Sequence, residues 1–167
     1  TDAGGGELLL QPYLGTGKVP EGIRGISPTD QEVLNGIKQH EIPAELRIFV
    51  VKNGERHVTV PVMRIAAKGT QHLEGNDTYL DVELSDELEA LLLPDATSIV
   101  DNVCGRSENA QNVLAVVDYL FDGNRFWAME ANFRSPTLPL TRENPHAAGS
   151  IYPAVADTLY VMSEGGE

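Results

Sequence analysis

The dipeptide Asn53-Gly54, set between two apolar segments, is the sequence feature that most constrains the fold. A type I′ turn needs positive φ angles at both central residues, and Asn followed by Gly adopts them at low steric cost. The flanking segments 45–52 (ELRIFVVK) and 55–65 (ERHVTVPVMRI) are rich in β-branched residues. The sequence therefore predicts a β-hairpin, and Pro61 indicates an edge position or a bulge on its second strand.

Two more segments show the alternation expected of strands. In residues 78–84 (TYLDVEL) the apolar side chains face one side, whereas Asp81 and Glu83 face the other. Residues 113–121 and 125–133 flank an Asp-Gly turn and predict a second hairpin. The first arm of that hairpin also fits the periodicity of a helix, and the strand is the preferred interpretation.

Two helices are predicted from their start signals. Ser27 is a suitable N-cap, Pro28 suits the first helical position, and Asp30 completes a pattern resembling a capping box. A second, short helix is expected to start after Ser85 and to stop at Pro94. Its inner face is expected to consist of Leu88, Leu91 and Leu92.

The remaining segments are predicted mainly as loops. Residues 1–6 are rich in glycine and expected to be loose, and residues 14–27 are expected to form a loop. Residues 7–13 are predicted as an edge strand, and residues 158–162 as a final strand. Residues 134–153 contain four prolines and are predicted to be a long irregular segment.

Together these patterns predict one α+β domain over the whole chain of 167 residues. We expect a mainly antiparallel sheet, either a sandwich or a bent sheet, with seven or eight short strands, two hairpins and two short helices. A single cysteine excludes an intrachain disulfide. The predicted core residues are Leu9, Ile48, Val50, Val58, Val60, Leu80, Val82, Leu91, Val117, Phe126 and Ala128.

The charge of the chain is concentrated in one region. Twelve bases and 25 acids give a formal net charge of −13, and nine of the acids lie between Lys68 and Arg106, where no Lys or Arg occurs. Such a field repels nucleic acid and anionic membranes, and it attracts cations or basic protein surfaces. We therefore expect neither a nucleic-acid nor a membrane partner, and we expect a soluble protein, with the cytoplasm as the favoured compartment.

The preferred functional hypothesis is a non-catalytic interaction module, of the inhibitor, immunity or regulatory-subunit type, that docks onto a basic protein. The carboxylates expected to contact the partner are Asp77, Asp81, Glu83, Asp86 and Glu87. Calcium is a weaker alternative, because the segment lacks the spacing of a calcium-binding loop. The candidate calcium ligands are Glu74, Asp77, Asp81 and Glu83.

Two other classes remain open. The glycine-rich start and residues 134–153 would suit a self-associating assembly protein, such as a shell, virion or surface component. A small enzyme would need a Cys–His or His–carboxylate site, for which Cys104, His72 and Glu74 are the candidates. No cofactor is expected, because Lys18 follows a Gly-Thr-Gly that lacks the spacing of a phosphate-binding loop.

Overall fold

The computed structural model describes residues 18–40, 42–65, 78–104, 112–133 and 144–164. In these ranges six strands form one antiparallel sheet, and three helices pack against it. The predicted α+β class is therefore confirmed, with a single sheet and a strand count close to the expected one.

The sheet has the strand order β1-β4-β3-β2-β5-β6, and every neighbouring pair is antiparallel. In chain order the elements are β1 Ile23–Gly25, α1 Pro28–His40, β2 Ala44–Asn53, β3 Arg56–Ile65, β4 Thr78–Leu84, α2 Asp86–Cys104, β5 Asn112–Phe121, β6 Phe126–Asn132 and α3 Pro145–Glu164.

The first predicted hairpin is confirmed as β2 and β3, with its turn one residue later than expected. Asn53 pairs with Arg56, so Gly54 and Glu55 form the turn, and Gly54 has a φ of 60°. This register places Phe49 opposite Val60 of β3. Such an apolar cross-strand pair stabilises the observed register.

Pro61 lies where β3 changes its neighbours. β4 pairs with β3 only over Val62 to Ile65, so at Pro61 the described neighbour of β3 is β2 alone. The missing N–H of the proline is tolerated at such a local edge, as the sequence indicated.

The second hairpin is confirmed as β5 and β6. Gly123 in its turn has a φ of 106°, and a β-bulge interrupts the pairing between Asp118 and Tyr119. The strand interpretation of β5 is therefore correct, and the bulge re-aims the residues on either side of it.

Both faces of the sheet are covered by helices. α1 and α2 cover one face, where Leu34 and Leu92 pack among the buried side chains of β2, β4 and β5. α3 covers the other face, where Ala147 and Ile151 pack against Phe49 and its neighbours. This second layer explains why β2 is buried on both sides along most of its length.

α1 begins as the sequence predicted. The Oγ of Ser27 accepts a hydrogen bond from the backbone N–H of Asp30, and the Asp30 carboxylate accepts one from the backbone N–H of Ser27. These reciprocal bonds satisfy two N–H groups at the start of the helix.

The prediction that Pro94 stops the second helix is wrong, because α2 continues through it to Cys104. A proline inside a helix costs about 3 kcal/mol. Beyond Pro94, the side chains of Ala96, Val100 and Cys104 recur every four residues, and all three are buried in the core. Their burial offsets the lost hydrogen bond.

The prediction for the end of the chain is also wrong. α3 replaces both the last part of the irregular segment 134–153 and the strand expected at 158–162. Pro145 occupies the first helical position, which suits a proline, and Ala147 and Ile151 recur at helical spacing. Residues 134–143 lie outside the described ranges.

Other expectations have mixed outcomes. The loop expected at 14–27 contains the short strand β1, which pairs with β4. Most predicted core residues are buried or partly buried, but Val58, Leu91 and Ala128 are exposed. Leu91 points outward from α2, and Ala128 lies on the edge strand β6. Leu9 and the strand expected at 7–13 lie outside the described residues.

Candidate functional site

The exposed surface of α2 carries negative charge and no positive charge of its own. The helix contains five carboxylates and no Lys or Arg. Of these, Asp86, Glu87, Glu89 and Asp95 are exposed as whole residues. The first three lie in the first helical turn, where the helix dipole stabilises them. We call these four residues the acidic face of α2.

Leu91 lies between two of these carboxylates, Glu87 and Asp95, whereas Asp86 and Glu89 lie on another side of α2, beside His57. Leu91 itself is 60% exposed. Glu87 precedes it by four residues and Asp95 follows it by four, so the three side chains share one stripe of the helix. The stripe therefore presents an apolar group between two carboxylates.

A pocket with a volume of about 420 Å³ opens beside this stripe, between α2 and the β5–β6 hairpin. We call it the α2–hairpin pocket. Apolar side chains form most of its wall, and three polar residues and one tyrosine complete it. It is lined by Leu88, Leu91, Leu92, Asp95, Tyr119, Phe121, Asn124, Arg125, Phe126 and Ala128.

A hydrogen bond joins the two sides of the pocket. The Tyr119 hydroxyl donates to Oδ2 of Asp95 over 2.8 Å. Burial raises the pKa of Tyr119, and the hydrogen bond to Asp95 raises it further. Tyr119 is therefore a neutral donor at any physiological pH, and it holds the Asp95 carboxylate in place.

The rim opposite α2 is ordered by Asp122. Its carboxylate accepts hydrogen bonds from the backbone N–H groups of Asn124 and Arg125 and from Nε1 of Trp127 over 2.7 Å. These bonds, the one from Trp127 foremost, lower the pKa of Asp122 to about 2. The guanidinium of Arg125 lies 3.5 Å from the centroid of the Trp127 ring. The rim of the pocket is thus held by a compact turn.

Two carboxylates of β4 that the sequence treated alike have different environments. Glu83 is exposed, with its carboxylate 3.8 Å from Nε of Arg24. Asp81 is 2% exposed, and it accepts hydrogen bonds from the backbone N–H of His146 over 2.8 Å and of Ala147 over 3.3 Å. The expectation that Asp81 faces outward is wrong, because its carboxylate caps the N-terminus of α3.

Cys104 is buried at the end of α2. Burial raises the pKa of its thiol, although the positive charge of Lys52 acts in the opposite direction. The structure thus favours the neutral thiol, which is a poor nucleophile.

Near Cys104, Asp101 contacts two basic side chains of the β2–β3 hairpin, Lys52 and His57. Its Oδ1 accepts a hydrogen bond from Nζ of Lys52 and lies 3.0 Å from Nε2 of His57. The hydrogen bond from Lys52 is the main reason why the pKa of Asp101 is lowered. These contacts tie the hairpin to α2.

The other predicted site residues lie outside the described ranges. These are His72, Glu74 and Asp77. Within the described ranges, no group of three or more His, Cys, Asp or Glu side chains is arranged to hold a metal ion. The calcium and catalytic hypotheses therefore gain no supporting geometry from the part of the chain that the structure describes.

A buried ionic network on the α3 side of the sheet was missed by the sequence analysis. Arg47 donates to both carboxylate oxygens of Asp118, over 2.8 and 2.7 Å, and lies 3.4 Å from Glu45. Arg64 also donates to Glu45, over 2.8 Å. Burial is the main cause that raises the pKa of Glu45.

The signal for this network was present in β2. Glu45 and Arg47 alternate on one face of an otherwise apolar strand, a pattern that indicates a paired, buried set of charges. Arg64 comes from β3, the other arm of the predicted hairpin, whereas Asp118 comes from β5, which is distant in sequence. The pairing of Arg47 with Asp118 therefore required the sheet register. Because its members satisfy one another, the network is a structural element and presents no open site.

In comparisons with known proteins, no protein-family model, curated protein or solved structure matches this chain. Among the described residues, no helix is both long and apolar enough to cross a membrane.

Proposed function

We propose that the protein is a non-catalytic interaction module whose acidic face on α2 docks onto a basic surface of a partner protein. The observation that carries the proposal is that the exposed surface of a 19-residue helix presents four carboxylates, two of which flank an exposed leucine, and no cation.

The charge supplies steering and orientation. Among the residues that the structure describes, no carboxylate of the acidic face forms an ion pair with a Lys or Arg, whereas Glu83, Asp101 and Asp118 each form one. Unpaired charges of one sign raise the association rate with a partner of the opposite sign, and they do so most at low ionic strength.

The exposed leucine supplies contact area. Protein interfaces place apolar groups at the centre and polar groups at the rim, and a few central anchors provide most of the binding free energy. Leu91, with Glu87 and Asp95 on either side of it, has this arrangement on a small scale.

A catalytic role is less well supported. The only cysteine is buried, and the pKa of its thiol is raised. The carboxylate with the most strongly lowered pKa, Asp122, is occupied by three donors that belong to its own turn.

The test compares two double charge reversals. Glu87→Lys with Glu89→Lys cancels the net negative charge of the acidic face, whereas Glu55→Lys with Glu130→Lys makes the same charge change at exposed positions outside α2. A fluorescein-labelled peptide with alternating lysine and leucine residues serves as the basic probe, and fluorescence anisotropy gives its Kd over a range of salt concentrations.

We expect the first double variant to weaken binding by at least about tenfold and to flatten the salt dependence. The control double variant should change the Kd by less than about threefold. Equal weakening by both would show that only the net charge matters, and the proposal would then be wrong.

A further inference from the structure

We propose that the α2–hairpin pocket receives one apolar side chain of the partner, and that a Lys or Arg beside that side chain pairs with Asp95. This inference rests on the proposed function, because it names the chemistry of the segment that the acidic face would bind.

The size and the wall of the pocket fit an anchor side chain. Its volume of about 420 Å³ exceeds that of a single leucine or aromatic side chain, and six of its ten lining residues are aliphatic or phenylalanine. Pockets that bind ligands are mainly apolar with a few polar groups that fix orientation. Leu91 stands at the opening, 60% exposed, where it can contact an entering group.

Asp95 gives the pocket its preference for a basic neighbour. Its Oδ2 accepts the hydrogen bond from Tyr119, and among the described residues its carboxylate has no salt bridge. Of the described residues that line the pocket, Arg125 alone is basic, and its guanidinium is stacked on Trp127. A cation that arrives with the partner therefore meets a carboxylate that is already oriented.

Charge complementarity selects a basic partner segment as the occupant over a second copy of this chain. Two acidic faces brought together would place carboxylates of both helices opposite one another, which is unfavourable. In a segment with an apolar residue next to Lys or Arg, the apolar side chain would fill the pocket and the basic side chain would pair with Glu87 or Asp95. Such a segment also explains why an apolar hollow and an acidic helix face adjoin.

The experiment fills the pocket without changing any charge. Ala128 is exposed and lines the pocket from β6, so Ala128→Leu adds volume inside it. Ala90→Leu is the matched control, because Ala90 is an exposed alanine of α2 that does not line this pocket. A second variant, Leu91→Ala, removes the apolar group at the opening.

Two labelled peptides of equal length and charge serve as probes. One carries a single leucine flanked by lysines in an otherwise Gly/Ser sequence, and the other has serine in place of that leucine. We expect Ala128→Leu and Leu91→Ala to weaken binding of the leucine peptide about tenfold or more. Neither should change binding of the serine peptide, and Ala90→Leu should affect neither probe.

The outcomes separate the inference from the proposed function. If wild-type protein binds both peptides equally and Ala128→Leu changes nothing, the pocket receives no anchor, although acidic docking stands. If neither peptide binds, the proposed function fails and the inference fails with it. If Ala128→Leu instead dissociates a dimer in sedimentation velocity and leaves the peptides unaffected, the occupant is a second copy and the inference is overturned.

Discussion

Replacement of Asp81 tests whether this carboxylate is a structural cap, as its geometry indicates. It is 2% exposed and accepts two backbone N–H groups at the N-terminus of α3, one at 2.8 Å and one at 3.3 Å. Hydrogen bonds to a charged group contribute about 1.5 to 3 kcal/mol each, and the longer one contributes less. We expect Asp81→Ala to lower the free energy of unfolding by about 3 kcal/mol.

Asp81→Asn keeps the shape and one acceptor oxygen but removes the charge at the positive end of the helix. We expect it to cost about 2 kcal/mol. Urea denaturation followed by far-UV circular dichroism measures both values. In a chain of this size, 1 kcal/mol corresponds to a shift of about 3 °C in Tm, so Asp81→Ala should lower Tm by about 9 °C.

Glu83→Gln provides the matched control on the same strand. Its side chain is 56% exposed and its one ion pair, with Arg24, is long at 3.8 Å, so we expect a change below about 0.5 kcal/mol. Hydrogen exchange adds a local measurement, since the amides of His146 and Ala147 should lose protection in Asp81→Ala. If Asp81→Asn and Glu83→Gln have the same small effect, the assignment of Asp81 as a cap is refuted.

Three further predictions follow from the buried and hydrogen-bonded groups. The indole N–H signal of Trp127 should titrate with a midpoint near the pKa of Asp122, which is about 2 instead of the ordinary 3.8. The contact therefore contributes stability above about pH 4, and this contribution is lost as the pH falls towards 2. A midpoint near pH 4 in the NMR titration would contradict this prediction. Cys104 is buried, and the pKa of its thiol is raised. A disulfide reagent should therefore react with it at least about tenfold more slowly in the native protein than in urea. Equal reaction rates in the two conditions would refute its burial. Arg47→Met should lower the free energy of unfolding, measured by urea denaturation, by about 3 to 5 kcal/mol, because it leaves Asp118 buried without its partner. Adding Asp118→Leu should restore much of that loss. If the effects of the two substitutions are strictly additive, the two side chains do not interact.

The acidic face shows how far charge patterning alone leads. The sequence correctly places acids in the first turn of α2, where Asp86 and Glu87 are exposed. It could not separate Asp81 from Glu83, because both occupy the same face of the same strand. Asp81 is buried because α3, which begins about 65 residues further along the chain, packs over it, whereas Glu83 stays exposed.

The pocket was not predictable from local patterns. Its walls come from α2 and from the β5–β6 hairpin, which are separate in sequence. The spacing of Leu91 along α2 fits the inner face of the helix as well as the outer one, so the sequence predicts it on the inner face. The orientation of a helix about its own axis depends on the surface against which it packs, so a leucine-rich helix has more than one plausible inner face.

Local chemistry determined the parts of this protein that depend on few neighbouring residues. The two hairpins and the cap of α1 follow from turn and capping residues, whose energetics involve only a few positions along the chain. Tertiary structure decided the length of α2, the existence of α3, the burial of Asp81 and the pocket beside Leu91. In each of these cases burial against distant segments outweighs the local preference, as where the packing of Val100 and Cys104 carries α2 through Pro94.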